Sequence, residues 1–234
     1  MAFTEILNTW CGPQICHKFD TSQTTTLRGG GRPICAREIE RLRAFLTPDS
    51  VFVDVGANIG SFTLALAPLC KKVIAFEAQR MFAYMLAGSV ALNGHKNVWV
   101  HNFAVGRKLG FLAIPQYDMN KTLAWGSVEF GEKQREPIGQ ERLPDNPDDV
   151  VRIVALDELI SLIGPKLDVL KIDVEGMEID VLEGAKWSIM YHRPVMLIEH
   201  VKSSKIELLE CLIKIEYNAE DIGMDFLCLP KERQ

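Results

Sequence analysis

Residues 51–60 read VFVDVGANIG, and an apolar run continues from there to Leu69. The alternating valines of the first half are β-branched, which favours a buried strand. Gly56 and Gly60 then turn the chain into a helix, and a glycine turn lets backbone N–H groups approach a ligand closely because no Cβ intervenes. The stretch therefore predicts a strand, a turn and a helix start, which together form half of a nucleotide-binding βαβ unit.

Two side chains in this stretch indicate which nucleotide the turn suits. A dinucleotide fingerprint has three glycines in the pattern G-x-G-x-x-G, and Asn58 takes the place of the second one. The carboxylate of Asp54 would also repel a pyrophosphate. An acid two residues before the first glycine instead suits positive charge or hydrogen-bond donors, such as the amino-acid end and sulfonium of S-adenosylmethionine. Alternatively, any buried strand that ends in a glycine turn has this appearance.

The composition is that of an ordinary globular protein. The 234 residues are 47% hydrophobic and 24% charged, which fits one α/β domain with room for an extension or an insertion. The net charge of −5 gives no overall basic field, so we do not expect a nucleic acid partner. No apolar run approaches the roughly 20 residues of a membrane-spanning helix, and no leader pattern begins the chain. We therefore expect a cytoplasmic protein without a membrane span.

The six cysteines form no C-x-x-C pair. We interpret them as reduced thiols. Cys11, Cys16, His17 and Cys35 match no zinc spacing, so we predict no metal site among them.

Two segments lie outside the predicted core. Residues 1–36 form an N-terminal extension, and their glycine-rich stretch 28–33 (RGGGRP) predicts a flexible joint that either closes over an anionic substrate as a cap or is only a linker. Residues 37–234 form the main domain, interrupted at about 115–149 by a polar, irregular insertion typical of a functional lid or a disordered loop. The candidate substrate contacts on this insertion are Tyr117, Asn120 and Trp125. They could equally be surface residues without a role.

Two further strands carry candidate cofactor contacts. Residues 72–76 predict a second strand that ends in Glu77, whose carboxylate can accept hydrogen bonds from two ribose hydroxyls. Residues 98–105 predict a third strand, with Asn102 and Ala104 near its carboxyl end, where an adenine would lie. An alternative for Asn102 is turn chemistry alone.

Acidic residues follow two later strands. Residues 167–172 predict a strand that runs into DVEGME, which contains Asp173, Glu175 and Glu178, and the strand within 194–200 ends in Glu199 and His200. Because like charges brought together raise at least one pKa, such an edge can supply a general base, and His200 is a further proton acceptor. Alternatively, Asp173 caps the next helix and the glutamates lie in its first turn. Lys171 is either a solvated edge residue or a partner of these carboxylates.

Taken together, these residues make the chain resemble the FkbM family of S-adenosylmethionine-dependent methyltransferases. The matching motifs are VFVDVGANIGSFTLALA, KVIAFEA, HNFAVG, the LDELI run, KIDVEGMEIDVLEGA and RPVMLIEH, in family order from Val51 to His200. The resemblance implies a class I methyltransferase (Rossmann-like) fold, with a mainly parallel seven-stranded sheet, helices on both faces and an antiparallel last strand. It also implies O-methylation of a hydroxyl on a small-molecule acceptor, a sugar or a natural product.

The resemblance also implies roles for individual residues. The cofactor loop would be formed by Asp54, Gly56, Asn58 and Gly60, with Glu77 on the ribose and with Asn102 and Ala104 beside the adenine. The acceptor would face Asp173, Glu175, Glu178 and Glu199, with Asp173 as the first candidate for the base.

Three alternatives stay open. A nicotinamide-dependent oxidoreductase would need the glycine that Asn58 replaces. A cofactor-binding module without catalysis would keep the motifs but transfer nothing. Within the methyltransferase hypothesis, the carboxylates could hold Mg²⁺ and so lower the pKa of the acceptor hydroxyl.

Overall fold

The computed structural model of the protein describes residues 2–130 and 134–233. The strands are β1 (Thr4–Thr9), β2 (Gly12–His17), β3 (Val51–Val55), β4 (Lys72–Phe76), β5 (Val98–His101), β6 (Ala104–Val105), β7 (Gly110–Ala113), β8 (Val150–Val154), β9 (Val169–Ile172), β10 (Val195–Glu199), β11 (Tyr217–Asp221) and β12 (Asp225–Pro230). The α-helices are α1 (Gln23–Gly30), α2 (Ala36–Arg43), α3 (Ser61–Leu66), α4 (Arg80–Leu92), α5 (Ile160–Ile163), α6 (Glu178–Gly184), α7 (Lys186–His192) and α8 (Lys205–Lys214). Short 3₁₀ turns cover Ala67–Leu69, Trp125–Ser127, Leu156–Leu159 and Lys231–Arg233.

The central sheet has seven strands in the order β11-β12-β10-β9-β3-β4-β5. The pairs β10–β9, β9–β3, β3–β4 and β4–β5 are parallel, and β12 is antiparallel to both of its neighbours. This confirms the predicted mainly parallel sheet with an antiparallel last strand. Strand order reverses at β3, which lies between β4 and β9, and ligands of such sheets bind beyond the carboxyl ends of the strands at this point.

The central strands are buried on both faces. All five residues of β3 are buried, as in other parallel sheets that carry helices on each side. Successive residues of β3 enter different cores: Val53 and Val55 pack in one hydrophobic cluster and Phe52 in another. The glycine turn at Gly56–Gly60 therefore follows a strand that is packed on both faces of the sheet.

A second sheet, in the order β6-β8-β7, builds one side of the site. Within it, β7 and β8 are antiparallel partners, and β6 is parallel to β8. The predicted single strand 98–105 is wrong, because it divides into β5 in the main sheet and β6 in the second sheet. Asn102 lies at the break, and its side-chain amide donates to the carbonyl oxygens of Glu77 and Ala78, both at 2.9 Å.

The N-terminal extension is more regular than the sequence predicted. β1 and β2 form an antiparallel hairpin, and Arg28, Gly29 and Gly30 lie in the last turn of α1 rather than in an irregular joint. Gly31, with a φ of 69°, ends this helix by donating its N–H to the Leu27 carbonyl. Glycines are tolerated there because a helix C-terminus commonly ends in left-handed backbone, and the burial of Leu27 fixes the preceding turn.

The insertion contains a hydrophobic core that its composition did not indicate. Tyr117 and Trp125 are buried together with Leu27 of α1 and Phe82 of α4. The rings of Tyr117 and Trp125 meet edge to face, with 6.2 Å between their centroids. These two aromatic side chains are therefore not surface residues, because partners from distant segments bury them. Asn120 is exposed, and residues 131–133 of the insertion lie outside the described ranges. Within those ranges, no helix has both the length and the apolar character needed to cross a membrane.

Candidate active site

A cavity lies beyond the carboxyl ends of β3, β4, β6 and β9, where the sheet changes direction. Its wall includes the predicted cofactor contacts Gly56, Asn58, Glu77 and Ala104, together with Asp173 and Glu175. The remaining lining residues are mostly apolar and come from both sheets and the insertion: Val55, Phe76, Ala78, Gln79, Phe103, Val105, Leu112, Gly126, Val128, Phe130, Val174 and Met177. We refer to it as the first cavity.

Glu77 is a buried carboxylate in the wall of the first cavity, with 6% of its surface exposed. Its oxygens accept hydrogen bonds from the backbone N–H groups of Asn58 at 2.7 Å and Gln79 at 2.8 Å. Burial raises the pKa of Glu77 to about 7, and these two hydrogen bonds limit the rise. Asn102 does not line the cavity but holds the backbone after β4 in place, so its contribution is to position Glu77.

The glycine turn requires its glycines for two different reasons. Gly56 has a φ of 76°, and a Cβ at this position would lie 1.7 Å from the carbonyl oxygen of Asp173. Gly60 has a φ of 92°, and a Cβ there would lie 2.2 Å from Leu86 of α4. Gly56 thus brings two strand ends together at the cavity, whereas Gly60 lies outside the cavity and packs α3 against α4.

Asp54 does not line the cavity, contrary to its predicted place in the cofactor loop. It is fully buried below the turn, where Oδ2 accepts from the Thr63 hydroxyl at 2.6 Å and Oδ1 lies 3.4 Å from Lys171 Nζ. Lys171 is therefore a partner of carboxylates and not a solvated residue. The contact with Asp54 follows from register, since the two residues are paired across β3 and β9.

A second cavity adjoins the first. The two share Gly56, Asn58, Gly126 and Asp173 in their walls. Beyond these, the second cavity is lined by Ser22, Gln23, Ile34, Cys35, Ala57, Ile59, Ser61, Phe62, Ser127, Lys171, Glu199, Met224 and Asp225. Two neighbouring spaces with one common wall suit two ligands that react with each other.

Three carboxylates converge between the cavities. Oxygen atoms of Asp173, Glu175 and Glu199 lie within 4.8 Å of one another. Burial, followed by repulsion from Asp173, raises the pKa of Glu175 to about 8 and that of Glu199 to about 9. Burial is also the main reason that the pKa of Asp225 is raised to about 7, and repulsion from the Asp173 carboxylate is the next largest cause. The group therefore carries less negative charge at neutral pH than its composition suggests.

Glu178 and His200 lie outside both cavities. Glu178 is fully buried, and Oε1 accepts from the backbone N–H groups of Val174 at 3.0 Å and Gly176 at 3.1 Å. It therefore shapes the turn that presents Asp173 and does not face an acceptor. His200 is 3% exposed and packs its ring on Phe226 at 4.4 Å between centroids. Neither residue reaches the site for which the sequence proposed it.

The insertion closes over the shared wall. A Cβ on Gly126 would lie 3.4 Å from the Asn58 side chain, so the insertion passes directly over the glycine turn. Lys202 fastens it, because its Nζ donates to the Ser127 carbonyl at 2.8 Å and also pairs with the Glu175 carboxylate. Tyr117 and Trp125 support this segment from behind, since they line neither of the two cavities.

Several site residues were missed by the sequence reasoning. Gln23, Gly126 and Lys202 come from an extension, an insertion and a loop in which no motif marked them. Asp225 had a usable signal: it begins a strand antiparallel to β10, and the start of such a strand lies at the same edge as the ends of the parallel strands.

Comparison with known proteins agrees with this geometry. The family model described as "Methyltransferase FkbM domain" matches residues 54–222. The AMB antimetabolite synthetase AmbE of Pseudomonas aeruginosa is 32% identical over 167 residues, with 59% of this chain and 8% of that protein covered. Methyltransferase 1 of Beauveria bassiana is 28% identical over 148 residues, with 58% of each chain covered. The chain thus spans at most 58% of the length of these two curated relatives.

Solved structures show the same fold. A methyltransferase FkbM from Methylobacillus flagellatus superposes with a TM-score of 0.54 at 19% identity, covering 78% of this chain and 44% of that chain. Trm5b from Pyrococcus abyssi superposes with a TM-score of 0.51 at 14% identity, covering 97% of this chain and 56% of that chain. The fold is that of the class I methyltransferases, and the family model indicates S-adenosylmethionine as the cofactor. With its family model matched over 169 consecutive positions, 54–222, this chain belongs to the FkbM methyltransferase domain family.

Proposed function

We propose that the protein is an S-adenosylmethionine-dependent methyltransferase that methylates a hydroxyl oxygen of a small-molecule acceptor, a sugar or a natural product. The observation that carries the proposal is the shared wall of the two cavities, where the glycine turn and Asp173 meet. The first cavity would hold the cofactor and the second the acceptor.

The residues of the first cavity fit the proposed cofactor. The Glu77 carboxylate suits the two ribose hydroxyls, since it can accept a hydrogen bond from each. Phe103, Ala104 and Leu112 provide apolar surface for the adenine ring. When bound, S-adenosylmethionine supplies an electrophilic methyl group on a sulfonium.

Asp173 is the proposed proton acceptor. It lies in both walls, and its Oδ2 is 3.3 Å from Lys171 Nζ, so its carboxylate is held at the boundary between the two proposed ligands. Glu199, whose pKa is raised to about 9, would stay largely protonated near pH 7 and could donate a hydrogen bond to an acceptor oxygen. The segment of the insertion around Gly126 would exclude water from the reacting atoms, and alignment would provide much of the acceleration.

Calorimetric titration tests the cofactor. We expect S-adenosylmethionine and S-adenosylhomocysteine to bind and NAD not to bind. Binding of NAD without the sulfonium compound would instead support the nicotinamide-dependent oxidoreductase.

Methyl transfer tests the activity. Cofactor carrying a labelled methyl group is incubated with panels of glycosides, polyketides and RNA, and we expect label in a small-molecule hydroxyl compound. Asp173→Ala should lower the rate of transfer by about 100- to 10,000-fold and leave S-adenosylhomocysteine affinity within about threefold, whereas Asp148→Asn, at an exposed position of the insertion, should change neither. Tight cofactor binding without transfer to any panel would favour the module without catalysis.

A chelator separates the two roles considered for the carboxylates. If they act as acid and base alone, incubation with EDTA leaves the transfer rate unchanged. A loss of activity that Mg²⁺ restores would assign the converging oxygens of Asp173, Glu175 and Glu199 to a cation instead.

A further inference from the structure

Lys171 is a buried cation placed directly beneath the glycine turn. It is 3% exposed, and its Nζ donates to the carbonyl oxygen of Gly56 at 2.6 Å and lies 3.4 Å from that of Val55. The face of the Phe62 ring lies 5.4 Å from the same nitrogen. The ammonium group thus contacts the backbone at the point where β3 becomes the turn.

The same nitrogen contacts two carboxylates on different strands. It lies 3.4 Å from Oδ1 of Asp54 on β3 and 3.3 Å from Oδ2 of Asp173 at the end of β9. Burial by itself would lower the pKa of Lys171, but the two carboxylates outweigh burial and raise it. Lys171 is therefore charged, and its charge is placed between the cofactor turn and the candidate base.

The turn at Gly56 lies against the Asp173 backbone, so the Lys171 ammonium contacts two groups that are already close together. The turn and the Asp173 backbone touch so closely that no side chain fits between them, and the N–H of Asp173 also donates to the Val55 carbonyl at 3.1 Å. Lys171 adds the polar contact that joins the Gly56 carbonyl to the Asp173 carboxylate. Because both groups contact the same ammonium, a shift of the Gly56 carbonyl would move the Asp173 carboxylate, and the reverse also holds.

We propose that Lys171 is a positioning residue, which holds the cofactor turn through the Gly56 carbonyl and orients the Asp173 carboxylate toward the shared wall of the two cavities. This inference rests on the proposed function, because it assigns Lys171 an effect on methyl transfer through Asp173. A purely structural role would be limited to neutralising the buried Asp54.

Three variants separate these roles. Lys171→Met leaves the Asp54 charge buried without its cation and should melt at a lower temperature. Asp54→Asn together with Lys171→Met removes both charges and should regain much of that loss. Asp54→Asn alone is the reference, so that the additional effect of removing Lys171 is measured in a background that folds without the ion pair.

Relative to Asp54→Asn, we expect the double variant to bind S-adenosylhomocysteine at least tenfold more weakly. Its kcat at saturating cofactor should fall at least a hundredfold, because Asp173 is no longer oriented. In a background that carries Asp173→Asn, Lys171→Met should lower the residual kcat by less than threefold, since the residue through which it acts is already lost. Lys171→Arg should restore part of the affinity by supplying donors to the turn.

A double variant with the affinity and kcat of Asp54→Asn would overturn the inference and leave the methyltransferase function intact. Equal losses of kcat with and without Asp173→Asn would also overturn it, since Lys171 would then not act through Asp173. A wild-type protein that binds no S-adenosylhomocysteine would instead refute the proposed function and this inference with it. If the double variant does not fold, amide hydrogen exchange of residues 54–60 in Lys171→Arg decides: exchange unchanged from wild type supports a retained contact with the turn, and loss of protection with unchanged affinity contradicts it.

Discussion

The backbone N–H of Asn58 donates a 2.7 Å hydrogen bond to Oε2 of Glu77, although the two residues belong to different βα units. This bond joins the glycine turn after β3 to the strand end of β4. A ligand that contacts the Glu77 carboxylate is therefore in contact with a group that already orients the turn.

The first prediction concerns Glu77. Replacing it by alanine removes the proposed acceptor of the ribose hydroxyls and the partner of two backbone N–H groups, each a charge-assisted hydrogen bond worth about 1.5–3 kcal/mol. We expect the Kd for S-adenosylhomocysteine to rise by about 10- to 100-fold in calorimetry. Glu210→Ala, at an exposed position of α8, is the matched control and should bind like the wild type. Equal affinity in both variants would remove Glu77 from the cofactor site.

The second prediction concerns Gly56. Gly56→Ala places a Cβ 1.7 Å from the Asp173 carbonyl, so the two strand ends must separate. Gly94 is a matched position, since its φ is 67° and a Cβ there would meet nothing within 4 Å. Gly94→Ala should cost only the backbone strain of about 1–2 kcal/mol in urea unfolding. Gly56→Ala should cost clearly more and abolish binding of S-adenosylhomocysteine, and similar losses in both variants would contradict the close approach.

The third prediction concerns pH. Burial raises the pKa values of Glu77 and Asp225 to about 7, of Glu175 to about 8 and of Glu199 to about 9, all above their ordinary values in the unfolded chain. The folded state therefore binds more protons than the unfolded state up to about pH 9, and the free energy of unfolding must fall as pH rises. The clearest window is pH 7 to 9. The histidines, whose pKa values are lowered from 6.5, have the opposite effect on the free energy of unfolding, but they titrate below about pH 6.5.

Thermal unfolding across this window measures the effect. We expect the melting temperature to decrease steadily from pH 7 to pH 9. Glu199→Gln should make that decrease shallower because it removes one of the titrating groups, while the exposed replacement Glu210→Gln should leave the slope unchanged. A melting temperature that rises over the window would contradict the raised pKa values.

The fourth prediction concerns the attachment of the insertion. Lys202→Met removes the donor to the Ser127 carbonyl and the cation beside Glu175. We expect faster amide hydrogen exchange at residues 125–128 and a several-fold higher Kd for S-adenosylhomocysteine. Lys205→Met, which removes a solvent-exposed ion pair with Asp221, should change neither quantity. If exchange is the same in both variants, the segment is held by its buried aromatic side chains alone.

Much of the fold was predictable because its strands are short, apolar and closed by glycine or acid. The pattern around β3 predicted the first turn, and Glu77 and Asp173 follow strands whose carboxyl ends the topology brings to one edge. The family resemblance then implied the seven strands of the central sheet and its antiparallel last strand. These signals are local, so they survive without knowledge of distant contacts.

The errors have a common physical origin in contacts between distant segments. Trp125 looks like an isolated aromatic residue in a polar loop, but its neighbours come from α1 and α4. Asp54 and Glu178 look like exposed acids of the site, yet one pairs with Lys171 and the other accepts two N–H groups from its own turn. Chemistry-bearing residues could thus be placed at the correct edge, but the direction of each side chain depended on partners that the sequence does not mark.

The pairing of β7 with β8 determines how this protein can diverge. The insertion leaves and re-enters the fold at Ala113 and Val150, which are paired across the two strands, so its ends stay adjacent whatever its length. Lengthening a loop with fixed ends costs little free energy, about 0.6 kcal/mol for each doubling. The insertion supplies Gly126 and Ser127 to the second cavity and Gly126, Val128 and Phe130 to the first, so an exchange of this segment would reshape both cavities while β3, β4 and Glu77 stay as they are. In such an architecture the insertion is a replaceable cassette, attached to the rest of the protein at two neighbouring residues.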